Sequence, residues 1–399
     1  MRNWAVPVIA AVITGCATPS PSVATPAAPS PTPTVAIPAA TSAAPTSTAV
    51  TQTVRPSPTP VTDASQAFRP LTSGWRPSGL TFVIASSSGS GDTTLVALPV
   101  GPSGRAGGPT PIVSFGAGPW SLRPDGGAVA VGVWTGRSSR IAIWDVLSGA
   151  TRWLTSDEPG TNAFSPIWSK DGTSLYYSSS SDDGKSSGLF EMAADGSGKK
   201  QIKTADERTG PPEGLTPDGK GLVWSRGQAG GSVEILDIAT GINRHLEDVA
   251  RVVSWRSQQP RVLLMVGGCC AGRPGGSLVA WDDVALTSRV VAEFGQNGDP
   301  AWGVGAWDPT GTRIAAVRFD NASPYEGALV ILDPTTGATQ PIAGTLGAGS
   351  VQWLAEGIVF ALSHVRQPAA ELMLLPSGGG AAVSLYKTDG LQGITVVRP

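Results

Sequence analysis

The feature that most constrains this chain of 399 residues is an internal repeat that begins near residue 68. Turn glycines recur every 46 or 47 residues, and one interval of 92 residues spans two units, with the glycine of the missing unit replaced near Gln259. The glycines in phase are Gly79, Gly126, Gly172, Gly219, Gly311 and Gly357. A period of this length indicates supersecondary units that cannot bury a core alone and must stack on their neighbours.

A large apolar residue lies four positions before each of these glycines, and Trp255 occupies the equivalent place in the unit without one. The other members of this series are Trp75, Leu122, Trp168, Leu215, Trp307 and Trp353. Burial of one such side chain contributes about 2–3 kcal/mol to stability. We therefore interpret the series as core between units and not as a platform on which a ligand stacks.

Each unit has the same order of turns and β-rich runs. The turn Arg-Pro-Asp-Gly at 123–126 is followed by apolar runs at 128–134 and 140–146 and by a shorter, partly polar run at 151–155. Proline presets one turn angle and glycine supplies a positive φ, so the chain reverses tightly. Four short strands per unit, repeated seven times, predict an all-β protein, a seven-bladed β-propeller.

The two ends of the repeat region compete for one position in the ring. Residues 394–397 have the pattern of a first strand, and so does the segment 75–77. Joining the two chain ends in one blade removes exposed strand edges. We expect residues 394–397 to complete the blade that begins near Thr81.

The N-terminal segment 1–15 has one charge, Arg2, and an apolar stretch too short to span a bilayer permanently. Its end, Ile13-Thr14-Gly15-Cys16, resembles the bacterial lipobox. The resemblance implies cleavage before Cys16 and lipidation of that residue, and the alternative is an ordinary secretory peptide with an incidental cysteine. Two or more acyl chains would give stable anchoring. These features predict an extracytoplasmic protein that is anchored by its lipid to the bacterial membrane, at the cell surface or in the periplasm.

Residues 16–67 are predicted to form a disordered tether between the lipid and the propeller, which is assigned to 68–399. The stretch 17–62 holds 11 prolines among Ala, Thr, Ser and Val, with Arg55 as its only charge. Such a composition favours an extended, semi-rigid spacer with polyproline II character.

The Pro-Asp-Gly turns, together with third strands that end in aspartate at Asp145, Asp237 and Asp333, resemble the repeats of TolB-type β-propellers. Similar repeats occur in the propeller domain of dipeptidyl-peptidase IV-type enzymes. The resemblance covers about residues 75–399 and implies the fold but no particular function. TolB has an α/β domain where this chain has the tether, so binding of the lipoprotein Pal is not implied. The sequence has no Gly-x-Ser-x-Gly nucleophile elbow, so peptidase activity is not implied either.

Charge and residue counts argue against several functions. The 28 Lys and Arg residues nearly balance the 30 Asp and Glu residues, so nucleic-acid binding has no electrostatic basis. With two His and three Cys, a zinc site is close to excluded, and we expect no metal or cofactor. His245 and His364 do not stand in a recognisable catalytic triad. The sequence therefore predicts a protein without catalytic activity, and the alternative is a hydrolase, lyase or sugar dehydrogenase with a carboxylate or metal site in the central channel.

Connections between second and third strands, and between successive blades, open on one face of a propeller around its channel. Six residues of these connections are candidate binding residues: Trp120, Asp157, Arg208, Trp302, Asp320 and Tyr325. Exposed aromatic rings with interspersed charges suit recognition of a protein or glycan. The sequence thus predicts a monomeric binding or scaffolding module at the cell envelope, and the alternative is that these loops are only solvated.

Cys269 and Cys270 are adjacent in a glycine-rich loop. In an exported protein, cysteines tend to oxidise, and no other partner remains once Cys16 is acylated. A vicinal disulfide that stiffens the loop, two free thiols, and a redox or metal function are the three interpretations.

Overall fold

A computed structural model describes residues 63–87, 91–116, 118–136, 138–158, 160–182, 187–205, 209–226, 231–247, 250–255, 262–266, 276–282, 284–295, 300–320, 323–363 and 369–398. The signal and tether predictions, the lipidation of Cys16, and the predictions for Arg208, Cys269 and Cys270 lie outside these residues.

Six blades are each built from one repeat unit as an antiparallel sheet of four consecutive strands. Blade 2 contains β6 (Trp120–Leu122), β7 (Ala128–Trp134), β8 (Ser139–Asp145) and β9 (Thr151–Trp153); blade 3 contains β10 (Thr161–Trp168), β11 (Ser174–Ser181), β12 (Gly188–Ala193) and β13 (Lys200–Thr204). Blade 4 contains β14 (Thr209–Leu215), β15 (Gly221–Arg226), β16 (Ser232–Asp237) and β17 (Asn243–Glu247); blade 5 contains β18 (Ala250–Trp255), β19 (Val262–Val266), β20 (Ser277–Asp282) and β21 (Thr287–Ala292). Blade 6 contains β22 (Ala301–Trp307), β23 (Ile314–Asp320), β24 (Ser323–Leu332) and β25 (Thr339–Pro341); blade 7 contains β26 (Ala348–Leu354), β27 (Gly357–Ser363), β28 (Ala370–Pro376) and β29 (Val383–Thr388).

Blade 1 joins the two ends of the described chain. It contains β1 (Phe68–Pro70), β2 (Thr81–Ser87), β3 (Thr93–Gly101), β4 (Gly104–Arg105), β5 (Thr110–Phe115) and β30 (Leu391–Val397), and a short 3₁₀ helix, Ala64–Ala67, precedes β1. The order β1-β5-β3-β2-β30 makes the C-terminal strand the innermost, as predicted. The segment 75–77 forms no strand. The sequence did not predict β1, which pairs with β5 on the outer side.

The turns that punctuate the blades are closed by aspartate side chains. Asp125 accepts a hydrogen bond of 2.8 Å from the N–H of Gly127, and Gly126 adopts a φ of 77°. After a third strand, Asp237 accepts bonds of 2.8 Å from both the hydroxyl and the N–H of Thr240. These bonds to Thr240 hold the pKa of Asp237 below its ordinary value. The aspartates that the sequence repeats are therefore turn caps.

The core consists of seven apolar clusters, in the described residues, that lie between neighbouring blades. Six of these clusters contain or border members of the phased apolar series. Trp168 and Trp307 are each 4% exposed, which leaves no ring face for a ligand. The prediction that this series packs between blades is confirmed.

On the face where first and second strands meet, Gly126, Gly172 and Gly219 each lie against a side chain of the preceding repeat unit. A Cβ added to Gly172 would lie 2.9 Å from Cγ of Arg123, and one added to Gly219 would lie 3.2 Å from Cβ of Lys170. The Arg123 guanidinium in turn lies 5.8 Å from the ring centroid of Trp168. These three glycines therefore provide room for the neighbouring unit as well as a positive φ.

Candidate functional site

The central channel of the propeller is lined by the innermost strands β6, β10, β14, β18, β22, β26 and β30. In the described structure these seven strands contain one acidic side chain, Glu213, and one basic side chain, Arg251. The two residues lie on the innermost strands of the adjacent blades 4 and 5. A single acid and a single base in a lining that is otherwise uncharged define the candidate site.

A β-bulge places Glu213 in the channel lining. The register of β14 on β15 shifts between the pairs Pro212↔Trp224 and Gly214↔Val223, so Glu213 is the extra residue. A bulged residue has no direct partner on the next strand, and its side chain is turned away from the regular alternation. The Glu213 carboxyl accepts a hydrogen bond from the hydroxyl of Ser225.

Burial raises the pKa of Glu213, and the Ser225 hydrogen bond and the Arg251 charge oppose that rise only in part. Burial also lowers the pKa of Arg251, against the effect of Glu213. The charges interact, yet among the described residues neither side chain forms a direct ion pair. The Nε of Arg251 is buried without a hydrogen-bond partner in that same part of the chain. A buried polar atom without a partner is costly, which marks this place as unusual.

Asp157 lies on the connection between blades 2 and 3, on the face predicted for binding. Its Oδ1 accepts a hydrogen bond of 2.9 Å from Ser138, and its Oδ2 lies 4.0 Å from Nη1 of Arg140. Arg140 stacks on Trp153 with 4.2 Å between the guanidinium carbon and the ring centroid. The Asp157 side chain is 54% exposed, so it is held in place and still reachable by a partner.

Asp320 and Tyr325 lie together on one hairpin of blade 6. The connection on which the sequence analysis places these two residues is largely β structure, because β23 and β24 continue to the pair Asp320↔Ser323. The hairpin carries the ring of Tyr325 outward, and that residue is 61% exposed.

The two predicted tryptophans are less accessible. Trp120 is half-buried on β6, with its ring centroid 6.4 Å from that of Phe115.

Trp302 was expected to be an exposed aromatic residue. This prediction is wrong, because Trp302 is 4% exposed in the core between blades 5 and 6. Its indole N–H donates a bond of 2.8 Å to the carbonyl of Glu293. Its backbone N–H and carbonyl pair with Gly276 of blade 5. It therefore joins two blades.

His245 forms part of a polar network on blade 4 that is remote from the innermost strands. Its Nδ1 lies 3.2 Å from Oε1 of Glu234, a buried carboxylate that also accepts hydrogen bonds from Ser232 and Asn243. Asn243 in turn accepts a bond of 2.9 Å from the indole N–H of Trp224. This network connects the two outer strands of the blade and satisfies a buried charge.

Within the part of the chain that the structure describes, no three His, Cys, Asp or Glu side chains are grouped closely enough to hold a metal ion. The same described residues contain no helix of sufficient length and apolarity to cross a bilayer.

No protein-family profile and no curated protein matches the sequence. Among solved structures, TolB from Acinetobacter baumannii matches 81% of this chain and 65% of that chain, with 15% identity and a TM-score of 0.39. The fold is a seven-bladed β-propeller, the fold that the resemblance to TolB-type repeats implied. A prolyl endopeptidase structure matches 80% of this chain and 50% of that chain, with 13% identity and a TM-score of 0.54. The chain thus spans between half and two thirds of the length of these two proteins.

The prediction that the protein has no catalytic activity is wrong, because several proteins with the same fold are enzymes. An oligogalacturonate lyase in complex with manganese matches 78% of this chain and 85% of that chain, with 14% identity and a TM-score of 0.51. A puromycin-hydrolysing peptidase from Mycobacterium tuberculosis matches 80% of this chain and 56% of that chain, with 14% identity and a TM-score of 0.52. At such identities the likeness concerns the fold alone, and the fold is compatible with catalysis and with binding.

The sequence analysis missed Glu213 and Arg251. Superposition of the repeat units could have found them, because no other unit has a charged residue in its innermost strand.

Proposed function

We propose that this protein is a lipid-anchored, extracytoplasmic propeller that binds an envelope protein or glycan at the face on which its channel loops open. The observation that supports this most directly is the exposed ring of Tyr325 on the blade 6 hairpin, which also carries Asp320. Exposed aromatic rings are enriched where proteins bind partners. Anchoring rests on the lipobox resemblance at Cys16, and the tether would hold the ring away from the membrane surface.

Site-specific photo-crosslinking in intact cells tests the binding face. A photoreactive residue placed at Tyr325 is expected to give a discrete adduct with an envelope component. The matched control is Leu147, which is 45% exposed on the opposite face, in the turn between β8 and β9. Equal adducts from both positions, or none from Tyr325, would contradict the proposed face.

The anchor is tested separately with Cys16→Ser. We expect the variant to move from the membrane fraction to the soluble fraction and to lose the mass of the acyl chains in mass spectrometry. Retention in the membrane without lipid would contradict anchoring and leave the binding face unaffected.

A second candidate function is catalysis at the channel, favoured by the raised pKa of Glu213. A buried carboxyl that holds its proton nearer neutral pH can act as a general acid or base. Activity would be sought with panels of oligosaccharides and peptides, and Glu213→Gln is expected to lower turnover by about 100-fold or more. Unchanged turnover in the folded variant would remove this candidate.

A further inference from the structure

We infer that the channel-side end of the interface between blades 5 and 6 binds an oxyanion group of a ligand, through Arg251 and Arg318. The inference rests on the proposed function in one respect, namely that ligands approach the ring at the face where the channel loops open. The two arginines come from different blades and are separated by 67 positions in the sequence.

Strand alternation directs Arg251 toward blade 6. The next residue, Val252, packs in the cluster between blades 4 and 5, so Arg251 lies on the opposite face of β18. Val253, two positions after Arg251, packs against the cluster between blades 5 and 6.

Alternation in β23 directs Arg318 toward blade 5. Ile314 and Ala316 share its face and pack in the cluster between blades 5 and 6, whereas Val317 packs toward blade 7. Arg318 is opposite Trp302, and Trp302 forms the bridge to Gly276 of blade 5 with hydrogen bonds of 2.7 and 2.9 Å. Arg318 therefore lies beside the point at which the backbones of blades 5 and 6 are joined, and Arg251 faces the same interface from β18.

Each guanidinium has one nitrogen that the described part of the protein leaves without a hydrogen bond. The Nε atoms of Arg251 and Arg318 are both buried, and among the described residues neither atom has a hydrogen-bond partner. In that part of the chain neither arginine forms an ion pair. The one acidic group on the innermost strands is Glu213, whose charge acts on Arg251 from blade 4 without direct contact. Two cations with unsatisfied donors on facing blades are costly unless an anion joins them.

An oxyanion is the ligand group that fits these donors. A guanidinium presents N–H groups in a planar fork that matches a carboxylate or a phosphate, and such charge-assisted bonds are about twice as strong as neutral ones. A carboxylate and a phosphate share this chemistry, and the test below separates them.

The test titrates the purified full-length protein with glucuronate, inorganic phosphate and, as the uncharged analogue, glucose. Calorimetry is expected to show saturable binding of at least one anion and no binding of glucose. The anion that binds is also expected to raise the Tm of the wild-type protein, because it binds the folded state. Tighter binding of glucuronate would identify a carboxylate ligand, and tighter binding of phosphate a phosphorylated one.

Arg251→Gln and Arg318→Gln are each expected to weaken anion binding by about tenfold or more, since each removes charged donors. Arg105→Gln, at an exposed position of blade 1, is the matched control and should leave the Kd unchanged. Circular dichroism checks that the variants fold, and the Tm shift of the wild-type protein is independent of them.

The inference is overturned if neither anion binds the wild-type protein, if both Gln variants bind as the wild type does, or if glucose binds equally well. Loss of the anion site with crosslinks at Tyr325 retained would remove this inference alone. Anion binding without those crosslinks would instead remove the proposed binding face.

Discussion

At the scale of single residues, the channel concentrates its chemistry in one acid and one base. Glu213 and Arg251 lie on neighbouring innermost strands. Burial raises the pKa of Glu213 and lowers the pKa of Arg251, and both shifts favour the uncharged form. Pro211 and Pro212 precede Glu213, and proline donates no N–H to a sheet ladder. The irregular pairing that carries Glu213 into the lining is therefore compatible with its local sequence.

The stability of the protein should depend on the ionisation of Glu213. Because its pKa is raised on folding, the favourable contribution of the protonated carboxyl is complete below the unfolded-state pKa and is lost as pH rises through the folded-state pKa. We expect Glu213→Gln to raise the free energy of unfolding relative to wild type at pH 8 and to change it less at pH 4, as measured by denaturant titration.

Ser225→Ala provides the matched comparison for this titration. The Ser225 hydroxyl lowers the pKa of Glu213 by hydrogen bonding, so its removal should move the pH-dependent loss of stability to higher pH. Stability curves of the wild type and Glu213→Gln that run parallel from pH 4 to pH 8 would show that Glu213 does not titrate in this way.

At the scale of elements, the turn between first and second strands determines how closely successive blades approach. Gly172 combines a φ of 72° with the close contact to Arg123 of blade 2, whereas Gly149 has a φ of 71° and open space around it. The two glycines thus separate backbone strain from crowding between blades.

Gly149→Ala is expected to cost about 1 kcal/mol, the strain of a left-handed alanine. Gly172→Ala should cost about 1 kcal/mol or more beyond that, because Arg123 must move as well. Thermal unfolding of the two variants, scanned side by side, measures the difference. Equal losses would mean that the Arg123 side chain shifts without cost.

The sequence was sufficient to predict the strands and blades, but it was insufficient to predict how neighbouring strands are paired residue by residue. The repeat period, the turn residues and the phased apolar series predict seven blades and their core, because each is a local pattern that recurs along the chain. The innermost position of residues 394–397 follows from closure of the ring. The register of the innermost strand shifts in six blades, but among the described strands only blade 4 has a charged residue at the shift. The continuation of β23 and β24 to the pair Asp320↔Ser323 depends on tertiary pairing. The burial of Trp302 likewise comes from blade 5, which no local pattern of blade 6 reveals.

At the scale of the whole molecule, the ring is closed by the C-terminal strand. Strand β30 pairs with β2 from Thr81↔Val397 to Ser86↔Leu391, and its residues Ile394, Val396 and Val397 are at most 2% exposed. Arg398 adds a two-fold hydrogen-bonded ion pair of 3.0 and 2.9 Å to Glu356 of blade 7. By contrast, β1 makes three residue pairs with β5, and Arg69 and Pro70 are exposed.

Deletion of residues 391–399 is expected to abolish cooperative unfolding, because three buried apolar side chains worth about 2 kcal/mol each are lost and two blade edges open. Deletion of residues 63–70 should cost about 2–3 kcal/mol, mainly from Phe68, and should preserve a single transition. Calorimetric scans of the two deletions distinguish these outcomes, and similar losses from both would contradict closure by β30.

The placement of the two chain ends also determines how the ring would respond to mechanical load. Tension along the segment that precedes residue 63 would enter the ring through the 3₁₀ helix and β1, on the outer rim of blade 1. The hydrogen bonds between β1 and β5 would break first, since only three residue pairs hold them. The bonds between β2 and β30, three strand pairs further in along the same sheet, would remain unloaded until then. A pull on the tether would therefore lengthen it by the few residues of β1 while the propeller stays closed.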